Sequence, residues 1–297
     1  MEFRTLRAFV EVVRQGGFSQ AAKVIFATQS TVSKAVKQLE DELGLALLDR
    51  MGHRIRLTAA GEILFRRAVR LLAERDDLAN ELAELRGLKR GSLHLGLPPI
   101  GSSTLFAPLV ADYRRRHPGI EIRLVEHGSD RLNELLRTAE IDFAGVLLPI
   151  AEEFDYQLVR REPLTALLCA DHPLAARPKL RLSDLRDTPL ILFETGFALN
   201  RIILDACRRA GFEPTVTVRS SQIDFIAELA GAGLGVAFLP RLIADQRTRT
   251  PIALIELDEP GTEWVMAMAW RRGAYLSPAG AAWLTLVRES RSAHGFN

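Results

Sequence analysis

The sequence has little cysteine, no long apolar run and no large excess of either charge. Only two of its 297 residues are cysteines, Cys169 and Cys207, which are too few for a disulfide framework and too isolated for a cysteine and histidine zinc cluster. No run of about 18 uncharged apolar residues occurs, so no transmembrane helix is predicted. Charged side chains interrupt the N-terminal segment where a secretory signal needs an apolar run: Glu2, Arg4, Arg7, Glu11, Arg14 and Lys23. We therefore expect a cytoplasmic protein that does not contact membranes.

Familiar enzyme motifs are also missing. The sequence contains no G-x-S-x-G, Walker A or H-E-x-x-H pattern, and its six histidines are scattered. Positions 231 to 235 contain three glycines, but the third glycine of a dinucleotide-binding fingerprint would fall on Val236, and the predicted order is helix then strand. We interpret this segment as a helix end followed by a buried strand. We expect no cofactor and no metal, and an enzyme acting on a small molecule is only a remote alternative.

The composition is that of an ordinary globular protein. Hydrophobic residues make up 47% and charged residues 26% of the chain, which argues against extensive disorder, and the length predicts two or three domains. The net charge of +2 conceals an asymmetry, since 16 lysines and arginines accompany 12 acidic residues up to position 91, against 23 and 25 afterwards. This indicates an N-terminal module that meets an anion and a C-terminal module that does not.

The first 58 residues predict a winged helix-turn-helix. A first helix ends at Gly16, a second runs from Gln20 to about Ile25 with Ser19 as its N-cap, and Thr28 caps a third. The three-residue connection between the second and third helices is typical of helix-turn-helix motifs. Helical spacing puts one set of third-helix side chains inward, Val32, Val36 and Leu39, and another outward, Ser30, Lys34 and Lys37. Residues 45 to 58 then predict a basic hairpin, the wing.

Residues 59 to 87 predict one long helix, with Thr58 as its cap and Gly87 as its stop. At a rise of about 1.5 Å per residue it would span roughly 43 Å. Steps of four and three residues produce a heptad seam with one charged interruption: Leu64, Ala68, Leu71, Arg75, Leu78, Leu82 and Leu85. The seam indicates pairing with a second copy. The alternative is an ordinary amphipathic helix that packs on its own domain.

From residue 91 onward, predicted strands alternate with predicted helices. The strands are 93–97, 120–126, 142–148, 164–170, 189–193, 215–219, 235–239 and 264–270, with helical patterns such as 105–116 and 131–139 between them. This texture predicts a mainly parallel sheet covered by helices. We expect an effector domain over 91–297 with two lobes, 91–161 plus 268–297 and 162–267, joined by hinges near 160–163 and 263–268.

Four runs of the sequence together resemble the N-terminal signature of LysR-type transcriptional regulators: FSQAA at 18–22, TQSTVSKAVKQLEDELG at 28–44, LDR at 48–50 and LTAAG at 57–61. The resemblance implies that the third helix enters the DNA major groove, that the wing touches the DNA backbone and that the long helices pair. It also implies a C-terminal domain like a periplasmic binding protein that senses a small molecule. One position departs from the family, which often has proline where this chain has Ser30.

A second resemblance concerns the ligand. The runs LPPIGSSTLFAP at 97–108, FETGFALN at 193–200 and SSQIDFI at 220–226 are similar to the effector domains of CidR-type regulators. That similarity implies a weak organic acid such as acetate as the effector, and control of overflow metabolism and cell-lysis genes.

DNA recognition needs cations on phosphates and side chains at base edges. Gln29 can form two hydrogen bonds to adenine, and Thr31 can offer a methyl group to thymine or a hydroxyl to a base edge. The expected DNA-binding residues are Gln29, Ser30, Thr31, Ser33, Lys34, Lys37, Arg50, His53, Arg54 and Arg56; the alternative for the two lysines alone is a solvated helix face. Useful specificity requires two half-sites about 34 Å apart, hence a homodimer or homotetramer, and RNA polymerase is a possible further partner.

Loops that follow strands are the expected effector site. Their free amides and hydroxyls at helix starts favour a carboxylate, with apolar walls setting specificity. The expected effector-binding residues are Pro99, Ile100, Gly101, Ser102, Ser103, Ser129, Phe193, Phe197, Ser220 and Ser221. Taken singly, each of these serines is more often only a helix cap. Two rival regulators remain open: a redox sensor that uses Cys169 and Cys207, and a DNA-binding protein that needs no ligand.

Overall fold

The computed structural model describes residues 1–51, 54–85, 91–246 and 251–293. The chain forms two compact units, one made of the elements up to Leu85 and the other beginning at strand β3 (Gly91–Leu97). Helices and strands alternate in the second unit, whereas the first is helical apart from one hairpin. The predicted combination of a helical N-terminal part, a long helix and an α/β C-terminal part is therefore present.

Three helices form the N-terminal core: α1 (Phe3–Arg14), α2 (Phe18–Val24) and α3 (Gln29–Leu43). Their buried side chains include Phe9, Val32, Val36 and Leu39, so the predicted inward face of the third helix is confirmed. The second helix differs from its prediction. It begins at Phe18, which packs against this core, with Gly17 as N-cap. Ser19 therefore lies in the first turn of α2 and does not cap it.

The wing is an antiparallel hairpin of β1 (Leu48–Met51) and β2 (Arg54–Leu57), as predicted. Helix α4 follows over Ala59–Leu85, and Thr58 caps it as expected because its Oγ1 accepts from the Gly61 amide at 3.0 Å. Gly61 is required here, since a Cβ at that position would lie 2.0 Å from the Leu47 carbonyl oxygen. The predicted stop at Gly87 lies outside the described residues.

The predicted heptad seam of α4 is divided between two environments. Ala68 is fully buried in the N-terminal core and Leu64 packs against that core, so these two residues stabilise their own unit. Leu71, Leu78 and Leu82 are 43%, 55% and 52% exposed. The alternative reading, a helix that packs on its own domain, thus describes the first part of α4, and the exposed leucines begin one turn later. The Leu85 side chain is not described.

The first lobe of the second unit contains a five-stranded sheet of order β4-β3-β5-β13-β6. Its other strands are β4 (Ile120–Glu126), β5 (Phe143–Leu147), β6 (Phe154–Glu162) and β13 (Trp264–Arg271). Its helices are α5 (Ala107–Arg116), α6 (Ser129–Arg137) and α10 (Pro278–Ala293), and a π-helical turn over Ser102–Phe106 precedes α5. Aromatic residues fill the space under these helices, among them Phe106, Tyr113 and Trp283.

The second lobe contains a four-stranded sheet of order β11-β7-β12-β8 and the parallel pair β9 and β10. The strands are β7 (Leu164–Cys169), β8 (Lys179–Leu180), β9 (Leu190–Phe193), β10 (Val216–Ser220), β11 (Ala237–Pro240) and β12 (Ile252–Leu257). The helices are α7 (Ala198–Arg209), α8 (Ile223–Gly231) and the short α9 (Arg241–Ala244). The glycine-rich segment after α8 is a helix end that leads to the buried β11, as the sequence predicts.

Two expectations about this unit are wrong. The sheets are mixed rather than mainly parallel, because β13 pairs antiparallel with β5 and β6, and β7 pairs antiparallel with β11 and β12. The second predicted hinge, near 263–268, is also placed too far along the chain. All of β13 belongs to the first lobe's sheet, so the chain crosses back between Leu257 and Trp264, and Met266 and Met268 are fully buried sheet residues instead of hinge residues.

Candidate DNA interface and effector crevice

The N-terminal turn of α3 is capped and exposed. Thr28 Oγ1 accepts from the Thr31 amide at 3.2 Å, which satisfies one of the free donors at the helix start. The same hydroxyl contacts Ser30 Oγ at 2.9 Å and Thr31 Oγ1 at 2.8 Å. The hydroxyl groups of Ser30 and Thr31 both contact Thr28. The methyl group is therefore the part of the exposed Thr31 side chain that Thr28 does not engage.

Gln29 is the first residue of α3 and its side chain is exposed. Ser19 on α2 donates its hydroxyl hydrogen to Gln29 Oε1 at 3.1 Å. The sequence alone predicts only a cap at Ser19, and this contact between the two helices is not part of that prediction. The available signal was that Ser19 and Gln29 lie at the starts of consecutive helices of a helix-turn-helix, ten residues apart.

The remaining predicted DNA-binding residues lie on α3 and the wing. Lys34, Lys37 and, on β2, Arg56 are exposed, whereas Ser33 is half-buried. Arg50 and Arg54 lie in the two strands of the hairpin, although their side chains are not described, and His53 lies outside the described residues. The fold therefore places two exposed lysines on the helix whose other face is buried in the core.

The predicted effector loops lie at the carboxyl ends of two parallel strand pairs. In the first lobe β3 and β4 are parallel, and Pro98 and His127 follow their ends; in the second lobe β9 and β10 are parallel, and Glu194 and Ser221 follow theirs. Loops at such ends are the common position of ligand crevices in α/β folds. In each lobe, the loops predicted from the sequence therefore lie at the carboxyl-terminal edge of a parallel strand pair.

Direct hydrogen bonds join the two lobes at these loops. The Ala198 amide donates to Ser129 Oγ at 3.4 Å, and the Asp130 amide donates to the Gly196 carbonyl oxygen at 3.3 Å. As a single serine at a helix start, Ser129 is expected to be a cap, but α6 begins at Ser129 itself. Ser129 instead accepts from the first turn of α7. We name these four residues the lobe bridge.

The loop after β3 is tightly packed. Ser102 is buried and donates its hydroxyl to the Pro98 carbonyl oxygen, and Ile100 is also buried. Gly101 has a φ of +100°, and a Cβ there would lie 3.0 Å from the Trp264 ring, so glycine is needed for both conformation and space. Ser103 is exposed and Pro99 is half-buried. The loop therefore offers Ser103 to a ligand more readily than Ser102 or Ile100.

The aromatic pair of the second lobe is partly a core feature. Phe193 is only 3% exposed and its ring stacks on Phe197 with centroids 5.3 Å apart. The buried Asn200 fixes this turn: its Oδ1 accepts from the Phe193 amide at 3.0 Å, and its Nδ2 donates to the carbonyl oxygens of Phe193 and Glu194 at 2.8 and 2.9 Å. Asn200 is not among the residues predicted to shape this loop, although a polar residue amid apolar neighbours at the start of a helix is a signal for such a role.

The serines before α8 do not cap it with their side chains. Gln222 occupies the N-cap position, and Ser220 Oγ accepts from the Gln222 amide at 3.1 Å. Ser221 is exposed. Arg219, which sequence analysis did not select, donates to the Phe193 carbonyl oxygen at 3.3 Å and so ties the two loops of the second lobe together.

The two cysteines occupy different environments, and neither has a disulfide partner within the described residues. Cys207 on α7 is fully buried, and burial raises its pKa to about 11. A thiol with so high a pKa is nearly all protonated near neutral pH and is therefore a poor nucleophile. The burial and the raised pKa of Cys207 therefore disfavour it as a redox sensor. Cys169, at the end of β7, is half-buried.

The described ranges contain neither a metal-binding cluster nor a helix that could span a membrane. No cluster of three or more histidine, cysteine or acidic side chains there has a geometry that could hold a metal ion. Among the same residues, no helix is both long enough and apolar enough to cross a bilayer.

Comparison with known proteins identifies the family of both units. Residues 3–62 match the bacterial regulatory helix-turn-helix proteins of the LysR family, and residues 86–292 match the LysR substrate binding domain. The uncharacterized HTH-type transcriptional regulator YwbI of Bacillus subtilis is 34% identical over 285 residues, which cover 96% of this chain and 95% of that protein.

Solved structures agree with these matches. A cysteine-to-aspartate variant of full-length OxyR from Pseudomonas aeruginosa superposes with a TM-score of 0.77 at 28% identity, covering 98% of this chain and 95% of that one. Full-length CbnR complexed with its target DNA has the same fold, with a TM-score of 0.66 at 23% identity and coverage of 98% and 100%. The chain belongs to the LysR family of DNA-binding transcriptional regulators and carries that family's effector-binding domain.

Proposed function

We propose that α3 lies in the major groove of duplex DNA and reads base edges with its first turn. The observation that carries this proposal is the exposed turn of Gln29, Ser30 and Thr31, held by the Thr28 cap on a helix whose opposite face is buried. Gln29 would pair with adenine, and the Thr31 methyl group, the part of that side chain not engaged by Thr28, would contact a thymine methyl. Ser33, being half-buried, would contribute less.

Cations on α3 and the wing would position the helix. Lys34 and Lys37 follow the first turn on its exposed side, and Arg56 is exposed on the wing. Phosphate contacts position a protein without selecting sequence, so we assign the two lysines and Arg56 to the DNA backbone. Arg50, His53 and Arg54 belong to the same wing and are proposed for the backbone or the minor groove on the basis of sequence alone.

The dependence of DNA affinity on salt tests these roles. Binding of a mixed-sequence duplex should weaken as salt rises, and Lys34→Ala and Lys37→Ala should each reduce the slope of log affinity against log salt by about 1. Gln38→Ala is a matched control because Gln38 is exposed on the same helix but carries no charge, so its loss should leave the slope unchanged. Slopes that are identical in all variants would refute the phosphate contacts.

We further propose that two copies pair through the exposed leucines of α4, Leu71, Leu78 and Leu82, with Leu85 continuing the stripe. Pairing would place two α3 helices on two half-sites, as symmetric DNA-binding dimers require. LysR-type regulators form oligomers. Either a homodimer or a homotetramer can place two α3 helices on two half-sites. Leu64 and Ala68 are not part of this proposal because the N-terminal core covers them. A regulator bound in this way could also contact RNA polymerase, and all these partners are consistent with a cytoplasmic protein.

For the effector we propose a small carboxylate in the crevice between the lobes. The support is the set of helix starts that border it, whose backbone amides favour an anion. The lobe bridge already uses the amides of Asp130 and Ala198, so the ligand donors would come from the exposed Ser103 and Ser221 and their neighbouring amides. Phe197 would supply an apolar wall.

A ligand changes the regulator only if it binds one lobe arrangement better than another. We propose that the bridged arrangement is the ligand-binding one, since it closes the crevice. Calorimetric titration with acetate and other small carboxylates tests this: a bound acid should bind more weakly to Ser129→Ala, which lacks the bridging acceptor, and equally well to the exposed control Ser183→Ala. No heat from any small carboxylate, with regulation intact in Ser103→Trp, would overturn the assignment.

A further inference from the structure

Ser19 lies on α2, outside the helix that is proposed to read DNA, yet its hydroxyl is directed at that helix. Its Oγ donates to Gln29 Oε1 at 3.1 Å. A serine in the first turn of a helix commonly bonds to its own backbone, but no side chain caps α2, and Gly17 occupies the cap position. The hydrogen bond of Ser19 thus connects two helices and does not complete its own.

We propose that Ser19 is a positioning residue that holds the Gln29 carboxamide in the conformation that recognises adenine. The inference rests on the role proposed above for Gln29. A glutamine side chain has three rotatable bonds, and ordering them on binding opposes affinity. A hydrogen bond that orders the amide beforehand reduces that cost when DNA binds.

The geometry of the contact is compatible with simultaneous recognition of a base. Adenine offers N7 as an acceptor and its N6 amino group as a donor, which match a glutamine Nε2 and Oε1 respectively. A carboxamide oxygen can accept two hydrogen bonds. Ser19 uses one of them, so Oε1 of Gln29 can still accept from N6, and both Nε2 hydrogens are untouched by Ser19. The serine supports the amide without replacing the base.

Both residues of the hydrogen bond lie on helices that are packed into the N-terminal core. Ala21 and Ala22 of α2 are buried there, and so is Val32 of α3. The Thr28 cap fixes the turn in which Gln29 lies. The contact orders the Gln29 amide in the free protein, where it is exposed to water, and DNA strengthens it by excluding that water. The contribution of Ser19 is therefore expected when DNA is bound, with little effect on folding.

A rival role for Ser19 makes a different prediction. If its hydroxyl instead bound a phosphate, its loss would weaken binding to every sequence about equally. A positioning role weakens discrimination only at the base pairs that Gln29 contacts. The pattern across sequences separates the two roles, whereas a single affinity does not.

The experiment is selection from duplexes of randomised sequence with the full-length protein. Gln29→Ala should lose the base preference at particular pairs in each half-site. Ser19→Ala should lose about 3- to 10-fold of the preference at those same pairs, the range expected for one hydrogen bond, while Ser19→Thr, which keeps the hydroxyl, and the control Gln38→Ala should retain it. In the double variant, removing Ser19 should cause no loss beyond that of Gln29→Ala.

Several results would overturn the inference. They are an unchanged preference in Ser19→Ala, an equal loss at all base pairs, or additive losses in the double variant. Retention of the whole preference by Gln29→Ala would overturn it while leaving DNA binding in place. A wild-type protein that selects no sequence would instead refute the proposed function. Superimposable unfolding curves of Ser19→Ala and Ser19→Thr show that any loss is not a folding defect.

Discussion

Replacing two exposed leucines of α4 by glutamate should separate the paired copies. Leu71, Leu78 and Leu82 expose about half of their surface in the single chain. Full burial of a leucine contributes about 1.5–3 kcal/mol, so covering the exposed half is worth about 1 kcal/mol. Leu71→Glu with Leu78→Glu removes four such contributions from a pair of helices, about 4 kcal/mol. That corresponds to a roughly 1000-fold weaker association, before any repulsion between the new carboxylates.

Sedimentation velocity over a range of concentrations measures that change, and a gel-shift experiment with duplex DNA measures its consequence. The double variant should be monomeric where the wild-type chain is dimeric, and it should no longer shift DNA. Ala79→Glu is the control, since it adds a carboxylate to the same helix about a quarter-turn away at an exposed position. A double variant that remains dimeric and still shifts DNA would refute pairing through this stripe.

Three further predictions concern single residues: Thr28, Asn200 and Cys207. Thr28→Ala removes the α3 cap and should cost about 1 kcal/mol of N-terminal unit stability in a denaturant titration, whereas Thr28→Ser, which keeps the hydroxyl, should not; equal stability of both would contradict the cap. Asn200→Ala leaves the Phe193 amide without its buried acceptor, so its hydrogen exchange should accelerate by an amount that matches about 1–3 kcal/mol; unchanged exchange would show that the loop does not depend on Asn200. The raised pKa of Cys207 means that the folded chain favours the thiol, so its stabilising effect is complete below pH 9.0 and is lost as pH rises toward about 11; Cys207→Ser should reduce that loss, and rapid alkylation of Cys207 in the folded protein at neutral pH would contradict its burial.

Elements with a local signal could be predicted from the sequence. The Thr28 cap, the inward stripe of α3 and the Thr58 cap each depend on neighbours within one or two helical turns, and each is present in the structure. Strands that are buried on both faces, such as β5 and β7, were also detectable because they are nearly continuous apolar runs. In these cases the chemistry of a short segment decides its conformation.

What could not be predicted depends on distant partners. Strand β6 (Phe154–Glu162) contains many charged residues, and only its pairing with β13 makes it a strand. The direction of β13 relative to β5 is likewise set by the return of the chain from the second lobe, which no local pattern encodes. At the candidate sites, Ser19 looked like a cap and Ser129 looked like another, yet each bonds to a residue on another element.

The most direct test of the account is whether the purified full-length protein binds duplex fragments that tile the region upstream of its own gene, at low salt. With α3 in the major groove and two copies paired, at least one fragment should bind more tightly than an unrelated duplex of equal length, and Gln29→Ala should reduce that preference by the equivalent of about 1–3 kcal/mol. If no fragment binds better than the unrelated duplex, α3 is not a sequence-reading helix at this locus and the account of the DNA interface is wrong.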